Sequence, residues 1–189
     1  MFTLEIEDSS KLWLTSDPHF NHYNICQFCN RPFKSSYEMN NTLIKNWNDR
    51  VGEDDIVVCC GDFMLNHGID KGKYKRLSER LNGKIYLVKG NHDKIDLTFE
   101  ILRHIEAIVD QIILRVDGKT TICTHFPLLA FPYDYNAFGH IHTLSDGLCH
   151  GKDSYVNGMI NKKRQYDVGV DQNGYAPISY KEFIYKLNR

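Results

Sequence analysis

The amino-acid sequence predicts a mixed α/β sandwich that forms one domain over residues 1–189. Two patterns and the size of the chain indicate this fold class. The predicted elements alternate as β-α-β-α-β in the first half of the chain and are mostly strands in the second half. Segment 56–60 is apolar at every position, as in sheets that are covered on both faces. With 189 residues, of which 42% are hydrophobic, the chain can bury a single core.

The first half of the chain supplies the alternating elements. Residues 11–15 indicate a buried strand, and Ser35 with Glu38 resembles a capping box that begins a helix. The apolar stripe of that helix follows helical spacing and consists of Met39, Leu43, Ile44 and Trp47. The remaining elements predicted in this half are a strand at 56–60, a helix over 70–81 and a strand at 84–88.

The second half begins with a predicted helix and continues mostly as strands. Asp117-Gly118 lies between two β-like runs and predicts a hairpin turn. The other elements predicted here are a helix over 96–104, strands within 106–116, a strand at 120–124, short strands at 137–138 and 166–170, and a closing helix over 179–187. No internal repeat or linker divides the sequence.

Composition excludes several classes of function. The formal net charge is −1, so the chain has no basic footprint for broad binding to nucleic acid or to an anionic membrane. No apolar run approaches the roughly 18 residues of a membrane span, and the first residues do not resemble a signal peptide. We therefore expect a cytoplasmic protein without a membrane partner.

The sequence contains six cysteines, which we interpret as reduced thiols. Cys26 and Cys29 form a lone C-x-x-C, but no second pair completes a structural zinc site. A redox pair remains an alternative for these two, and their role stays open. Cys59, Cys60 and Cys123 lie in apolar runs and are expected to be buried.

Polar side chains able to bind metal follow five of the predicted strands. In α/β sheets the carboxyl ends of neighbouring strands open onto one crevice, so groups far apart in sequence can meet there. The D-x-H and H-x-H pairs have a spacing of two, which places both side chains on one side of an extended backbone. Glycines precede several of these groups and suit close backbone approach. The candidate ligands are Asp17, His19, Asp62, Asn91, His125, His140 and His142.

Seven oxygen and nitrogen ligands are too many for one tetrahedral ion and suit two cations that share a carboxylate. Imidazole and carboxylate without thiolate favour divalent transition metals, with manganese first and iron, zinc, nickel or cobalt as alternatives. Two such cations about 3.5–4 Å apart can acidify a water molecule and direct it at a phosphoryl group. Each motif alone occurs often as an ordinary turn, and the prediction rests on their joint order.

The five blocks resemble those of the calcineurin-like metallophosphoesterases, in the same order from residue 16 to residue 142. The opening around His19 and the ending at 167–171 are similar to small bacterial and phage members. The resemblance implies a four-layer α-β-β-α sandwich of two mixed β-sheets flanked by helices. It also implies two metal sites, with Asp17, His19 and His142 in one, Asn91, His125 and His140 in the other, and Asp62 as the bridge.

The same resemblance implies roles for the residues around the metals. His92 would contact phosphate oxygens and protonate the leaving group, with Asp93 orienting its ring. His22 and Asn24 are candidates for substrate binding. The nearby aromatic side chains, among them Phe126, are interpreted as packing residues.

The implied activity is hydrolysis of a phosphodiester or monoester, nucleotide-like esters included, by a hydroxide that bridges the two metals. The substrate would be a small phosphate ester. No arginine follows Gly61-Asp62 closely, and the third block ends in Asp93 where protein phosphatases of this superfamily carry Glu, which argues against that branch. The alternative is a metal-containing protein-interaction scaffold of the same fold with little catalytic activity. The physiological substrate and the oligomeric state stay open.

Overall fold

A computed structural model describes residues 2–65, 76–93, 105–142 and 158–189. Within these ranges the chain folds into two five-stranded mixed sheets with helices packed around them. The predicted sandwich of two mixed sheets flanked by helices is therefore confirmed.

The elements have the following bounds. The strands are β1 (Phe2–Ile6), β2 (Leu12–Thr15), β3 (Ile56–Cys59), β4 (Lys84–Val88), β5 (Ile105–Val109), β6 (Ile112–Val116), β7 (Lys119–Cys123), β8 (Tyr135–Phe138), β9 (Gln165–Asp167) and β10 (Ile178–Ser179). The α-helices that lie wholly within the described ranges are α1 (Tyr23–Phe28), α2 (Ser36–Asn48) and α3 (Tyr180–Leu187).

The two sheets present their carboxyl strand ends to the same region. The first sheet has the order β10-β2-β3-β4-β5, in which β2 to β5 run parallel and β10 is antiparallel to β2. The second has the order β1-β6-β7-β8-β9, in which β7, β8 and β9 are parallel. Five strands that carry predicted ligands, β2, β3, β4, β7 and β8, thus end on the same side of their sheets.

Strand alternation divides the first sheet between two cores. Leu14 and Val58 point into the core between the sheets, whereas Val57 and Ile85 pack with the buried stripe of α2 on the outer face. Both faces are apolar, which explains the unbroken hydrophobic run at 56–60. Phe183 of α3 joins the inter-sheet core, so this helix closes one end of the sandwich.

The caps explain why α2 and α3 begin where they do. The Ser35 hydroxyl accepts a hydrogen bond from the Glu38 amide at 3.1 Å, as predicted. The Glu38 carboxylate reaches one residue farther than expected, to the Lys34 amide at 2.8 Å. A second capping box, Ser179 with Glu182, begins α3 and was not predicted.

Several boundaries differ from the sequence prediction. Strand β9 ends at Asp167 rather than 170 because the Asp167 carboxylate accepts a hydrogen bond from the Gly169 amide and turns the chain. Strands β1 and β10 and helix α1 were missed: β10 and α1 are too short for a clear period, while the alternation in β1 was overlooked. Residues 76–78 are helical, as predicted, but residues 79–81 are not. Residues 70–75 and the whole predicted helix 96–104 lie outside the described residues.

The prediction of reduced cysteines is wrong for Cys29, which is disulfide-bonded. Cys26, Cys59, Cys60 and Cys123 are free and buried. The lone C-x-x-C therefore does not close on itself. Among the described helices, none has the length and apolar character that a membrane crossing requires.

Candidate metal centre

The seven predicted ligands meet at the seam between the two sheets, in two adjoining clusters. The inner cluster consists of Asp17, His19 and His142, whose ligand atoms all lie within 4.8 Å of one another. The outer cluster consists of Asn91, His125 and His140. Asp62 belongs to the outer group by the same distance criterion, and it also approaches the inner one.

The inner cluster is almost sealed from solvent. Asp17 and His19 are each 1% exposed and His142 is 6% exposed. The Asp17 Oδ1 atom lies 3.8 Å from Nε2 of His19 and 3.8 Å from Nε2 of His142. The three atoms face a common point, which is the arrangement expected of ligands to one ion.

The outer cluster is more open to solvent, and one of its two histidines, His125, has a fixed tautomer. His125 Nδ1 lies 2.9 Å from the carbonyl oxygen of Cys60, which can only accept, so Nδ1 carries the proton and Nε2 keeps a lone pair. That lone pair faces Asn91 Oδ1 at 2.9 Å. Asn91 is exposed and His140 is half-buried. Two acceptors this close are compatible with a shared cation.

Asp62 lies between the clusters. Its Oδ2 atom is 3.5 Å from Nε2 of His19 and 3.5 Å from Nε2 of His125. The other oxygen accepts a hydrogen bond from the His92 amide at 2.8 Å, which fixes the carboxylate in this position. One side chain can therefore serve both clusters.

The backbone that carries the ligands is left-handed, not extended as the i, i+2 argument assumed. Positive φ angles, which are uncommon outside glycine, occur at five of the seven ligands: Asp17 (56°), His19 (50°), Asp62 (51°), His140 (70°) and His142 (45°). The loops also support each other, since the amides of Asp17 and His19 donate to the carbonyls of Gly61 and Asp62, both at 3.0 Å. Such strained clusters are typical of functional sites.

Two glycines allow the carboxylates their close approach. A Cβ at Gly90 would lie 2.1 Å from Oδ1 of Asp62, and one at Gly139 would lie 2.2 Å from Oδ2 of Asp17. No side chain fits at those distances, so both positions require glycine. The expectation that glycines beside the ligands serve close packing is confirmed at these two positions.

The ligand atoms fit divalent cations. Asp17 Oδ1 and both ring nitrogens of His19 are buried and have no hydrogen-bond partner among the residues that the structure describes. Burial raises the pKa of Asp17 to about 6, although His142 and His125 lower it. Burial also lowers the pKa of His19 well below its ordinary value, aided by His142 and Arg31. A neutral imidazole beside a carboxylate is the ligand pair that such ions prefer.

Arg31 and Asp171 support the inner cluster and were not predicted to have this role. His142 Nδ1 donates to Asp171 Oδ2 at 2.6 Å, which leaves Nε2 as the ligand atom. Arg31 binds the same carboxylate through two hydrogen bonds of 2.8 Å. Burial would raise the pKa of Asp171, but Arg31 and the hydrogen bond from His142 lower it to about 2. A further group of Asp171, His142 and Cys29 is no separate metal site, because the Cys29 sulfur is in a disulfide.

His92 and Asp93 lie beside the clusters with different contacts. The His92 ring is half-buried, 5.3 Å from the His19 ring centroid. Asp93 does not orient this ring as predicted: its oxygens accept from the amides of Phe63 (2.9 Å) and Gly90 (2.8 Å), and no described contact joins it to the imidazole. Asp93 instead ties together the turns after β3 and β4. Burial raises the pKa of Asp93 to about 6, although these hydrogen bonds lower it.

Of the two candidate substrate residues, only His22 faces the centre. Its ring lies 5.5 Å from the His19 ring and 5.8 Å from the His92 ring, and its Nδ1 caps α1 by accepting from the Ile25 amide at 2.9 Å. Asn24 is exposed on α1 and is not among the described residues that line the cavity.

An open cavity of about 200 Å³ lies over both clusters. Ile25 and Phe28 form its apolar wall, opposite the histidines and Asn91. The expectation that Phe126 is a packing residue is wrong: its side chain is half-exposed, with its ring centroid 4.4 Å from that of His140. Phe20 and Phe63, in contrast, are fully buried. The cavity can therefore admit a small charged ligand beside an apolar group.

Comparisons with known proteins identify the family of this chain. The family model for calcineurin-like phosphoesterases matches residues 10–172. An uncharacterized protein of Methanocaldococcus jannaschii is 36% identical over 181 residues, which is 94% of this chain and 90% of that protein. A crystal structure of a protein of unknown function from Aquifex aeolicus is similar with a TM-score of 0.68 and 26% identity, over 91% of this chain and 96% of that one. A structure described as a novel archaeal phosphodiesterase matches at 24% identity and a TM-score of 0.44, over 69% of this chain and 73% of that one.

Proposed function

Because this chain belongs to the calcineurin-like phosphoesterase family, we propose that it hydrolyses small phosphate esters with the help of two divalent cations. The observation that carries the proposal is the position of Asp62, whose Oδ2 lies 3.5 Å from a histidine of each cluster. A carboxylate shared by two sets of ligands is the arrangement that a pair of adjacent cations requires.

The residues present fit such a pair, since buried ligand atoms of the inner cluster lack hydrogen-bond partners among the described residues. Asp17, His19 and His142 would hold one cation and Asn91, His125 and His140 the other, with Asp62 between them. When bound, the two cations would supply Lewis-acid activation of water and of the phosphoryl oxygens. Manganese is the metal that we propose first, with iron, zinc, nickel or cobalt as alternatives.

The side chains around the clusters would position the ester. His92 lines the cavity and is half-buried, so its imidazole can contact a phosphate oxygen and donate a proton to the oxygen of the leaving group. His22 lies on the same side and would bind the phosphate as a second imidazole. Both histidines stand over the inner cluster, which favours entry of the substrate from this side.

The open side of the cavity favours small or extended substrates. Asn91 is exposed, and Phe28 and Phe126 present 40% and 50% of their surface. A phosphodiester with an aromatic or nucleoside group could place its phosphate over the clusters and its ring beside these side chains. A phosphate monoester fits the same position, so both classes belong in the test.

The direct test is hydrolysis of p-nitrophenyl phosphate and bis-p-nitrophenyl phosphate by protein freed of metal with a chelator and then supplied with Mn²⁺, Ni²⁺, Co²⁺ or Zn²⁺. We expect turnover that depends on the added metal and is absent in Asp62→Asn. Metal-loaded protein that cleaves neither ester, nor cyclic nucleotides, dinucleotides or oligonucleotides, would contradict the proposal and favour the interaction scaffold.

A further inference from the structure

The guanidinium group of Arg31 lies beside the inner cluster, and all of its N–H groups make contacts there. The residue follows α1 in sequence, and its side chain is 0% exposed. Besides the two bonds to Asp171, it donates to the carbonyl oxygens of Asp17 at 2.7 Å and Pro18 at 3.0 Å, and it meets the Met39 sulfur at 3.5 Å. The five N–H groups of an arginine are thus matched by five acceptor contacts.

These carbonyls belong to the loop that carries two ligands of the inner cluster. Asp17 and His19 both have positive φ angles, so the loop is held in a conformation that non-glycine residues rarely adopt. Because the guanidinium binds the carbonyl oxygens of both Asp17 and Pro18, it stabilises this loop conformation directly. A lysine could not make these contacts together, since it lacks the planar fork.

Asp171 extends the same support to the third ligand. It accepts the Nδ1 proton of His142 and so directs Nε2 towards Asp17. In the outer cluster the corresponding acceptor for His125 is the neutral carbonyl of Cys60. The imidazole of His142 thus has a charged acceptor, whereas that of His125 has a neutral one.

We infer that Arg31 and Asp171 are positioning residues that set the metal affinity of the inner cluster and make it the tighter of the two metal sites. The inference rests on the proposed two-cation function. Partners of this kind typically contribute about 10–100-fold in metal affinity. Their removal should therefore release the inner cation first and leave the outer one in place.

The test measures binding of Mn²⁺ alone, by isothermal titration and by the paramagnetic resonance signal of paired against single ions. We expect wild-type protein to bind two ions, and Asp171→Asn, which keeps the side-chain volume, to weaken one site by about 10–100-fold. Arg31→Lys should act in the same direction. Matched controls are Asp134→Asn and Arg50→Lys, which change exposed ion pairs away from the centre and should leave both affinities unchanged.

A second set of variants assigns the effect to a cluster. In a His140→Ala background, where the outer site is impaired, Asp171→Asn should still weaken the remaining site. In a His19→Ala background it should add nothing, because the inner site is already lost. Equal weakening of both sites, or no weakening of either, would overturn the positioning role while two-metal binding by the wild type stands. Wild-type protein that binds no Mn²⁺ would overturn the proposed function as well.

Discussion

In the inner cluster every ligand is buried, whereas in the outer cluster Asn91 is exposed and His140 is half-buried. The inner ligands stand on a strained loop and are held by a buried ion pair, Arg31 with Asp171. In the outer cluster, His125 contacts a backbone carbonyl, and Asn91 and His140 line the cavity. From this difference we expect the inner cluster to retain a cation more tightly than the outer one.

The largest effect should come from substitution of Asp62, the residue that approaches both clusters. Asp62→Asn takes a charge from the carboxylate that both clusters approach, so we expect both metal sites to weaken by more than about 100-fold, the upper end for indirect partners. Elemental analysis after dialysis and the rate with bis-p-nitrophenyl phosphate check this. Retention of two ions per chain would show that Asp62 is not shared.

The next effect separates catalysis from metal binding. His92→Ala removes the imidazole proposed as proton donor but none of the ligands, so kcat should fall by about 10²–10⁴ while two ions remain bound. A p-nitrophenyl ester needs little help from an acid, so the loss should be greater with an alkyl ester. Equal loss with both esters would indicate phosphate binding instead of proton transfer.

A smaller effect should come from the glycine that packs against Asp17 of the inner cluster. Gly139→Ala would place a Cβ 1.9 Å from Ser16 Oγ and 2.2 Å from Asp17 Oδ2, so those groups must move. We expect the free energy of unfolding to fall by about 1–3 kcal/mol and the inner site to bind Mn²⁺ more weakly. The control is Gly158→Ala, where a Cβ meets nothing within 4 Å. Urea unfolding in the presence of a chelator, followed by metal titration, measures both.

The smallest effect concerns His22, which both caps α1 and faces the cavity. His22→Ala should lower stability by about 1 kcal/mol, since the Ile25 amide loses its acceptor. His22→Asn retains a capping oxygen and should restore that stability without restoring hydrolysis of poorly activated esters. If His22→Asn matches wild type in both measurements, the residue serves the helix only.

The convergence of the candidate ligands could be predicted from sequence because each follows an apolar strand within a few residues, and strand ends meet in an α/β sheet. The residues that support the inner cluster could not be predicted in this way. Arg31 and Asp171 are 140 positions apart, and no local pattern connects them. The left-handed loops were also missed, because nothing in a D-x-H pair distinguishes extended backbone from positive φ.

Asp93 shows a different limit. Its place beside His92 suggested a ring partner, but the turns after β3 and β4 expose backbone amides that need an acceptor, and the carboxylate binds them instead. Cys29 shows another, since disulfide pairing depends on which chain segments meet in space. Element types were predicted well where a period was long, as in α2, and poorly for two-residue strands such as β10.

The ligands of each cluster come from both sheets: Asp17 and His19 follow β2 and His142 follows β8, while Asn91 follows β4 and His125 follows β7. Any ion held there would cross-link the sandwich, so that separating the sheets would require its release. At a free ion concentration 100 times the dissociation constant, one such site adds about 2.7 kcal/mol to the free energy of unfolding. The melting temperature would then report the supply of trace metal in the surroundings, and starvation for that metal would shorten the lifetime of the folded protein as well as its activity.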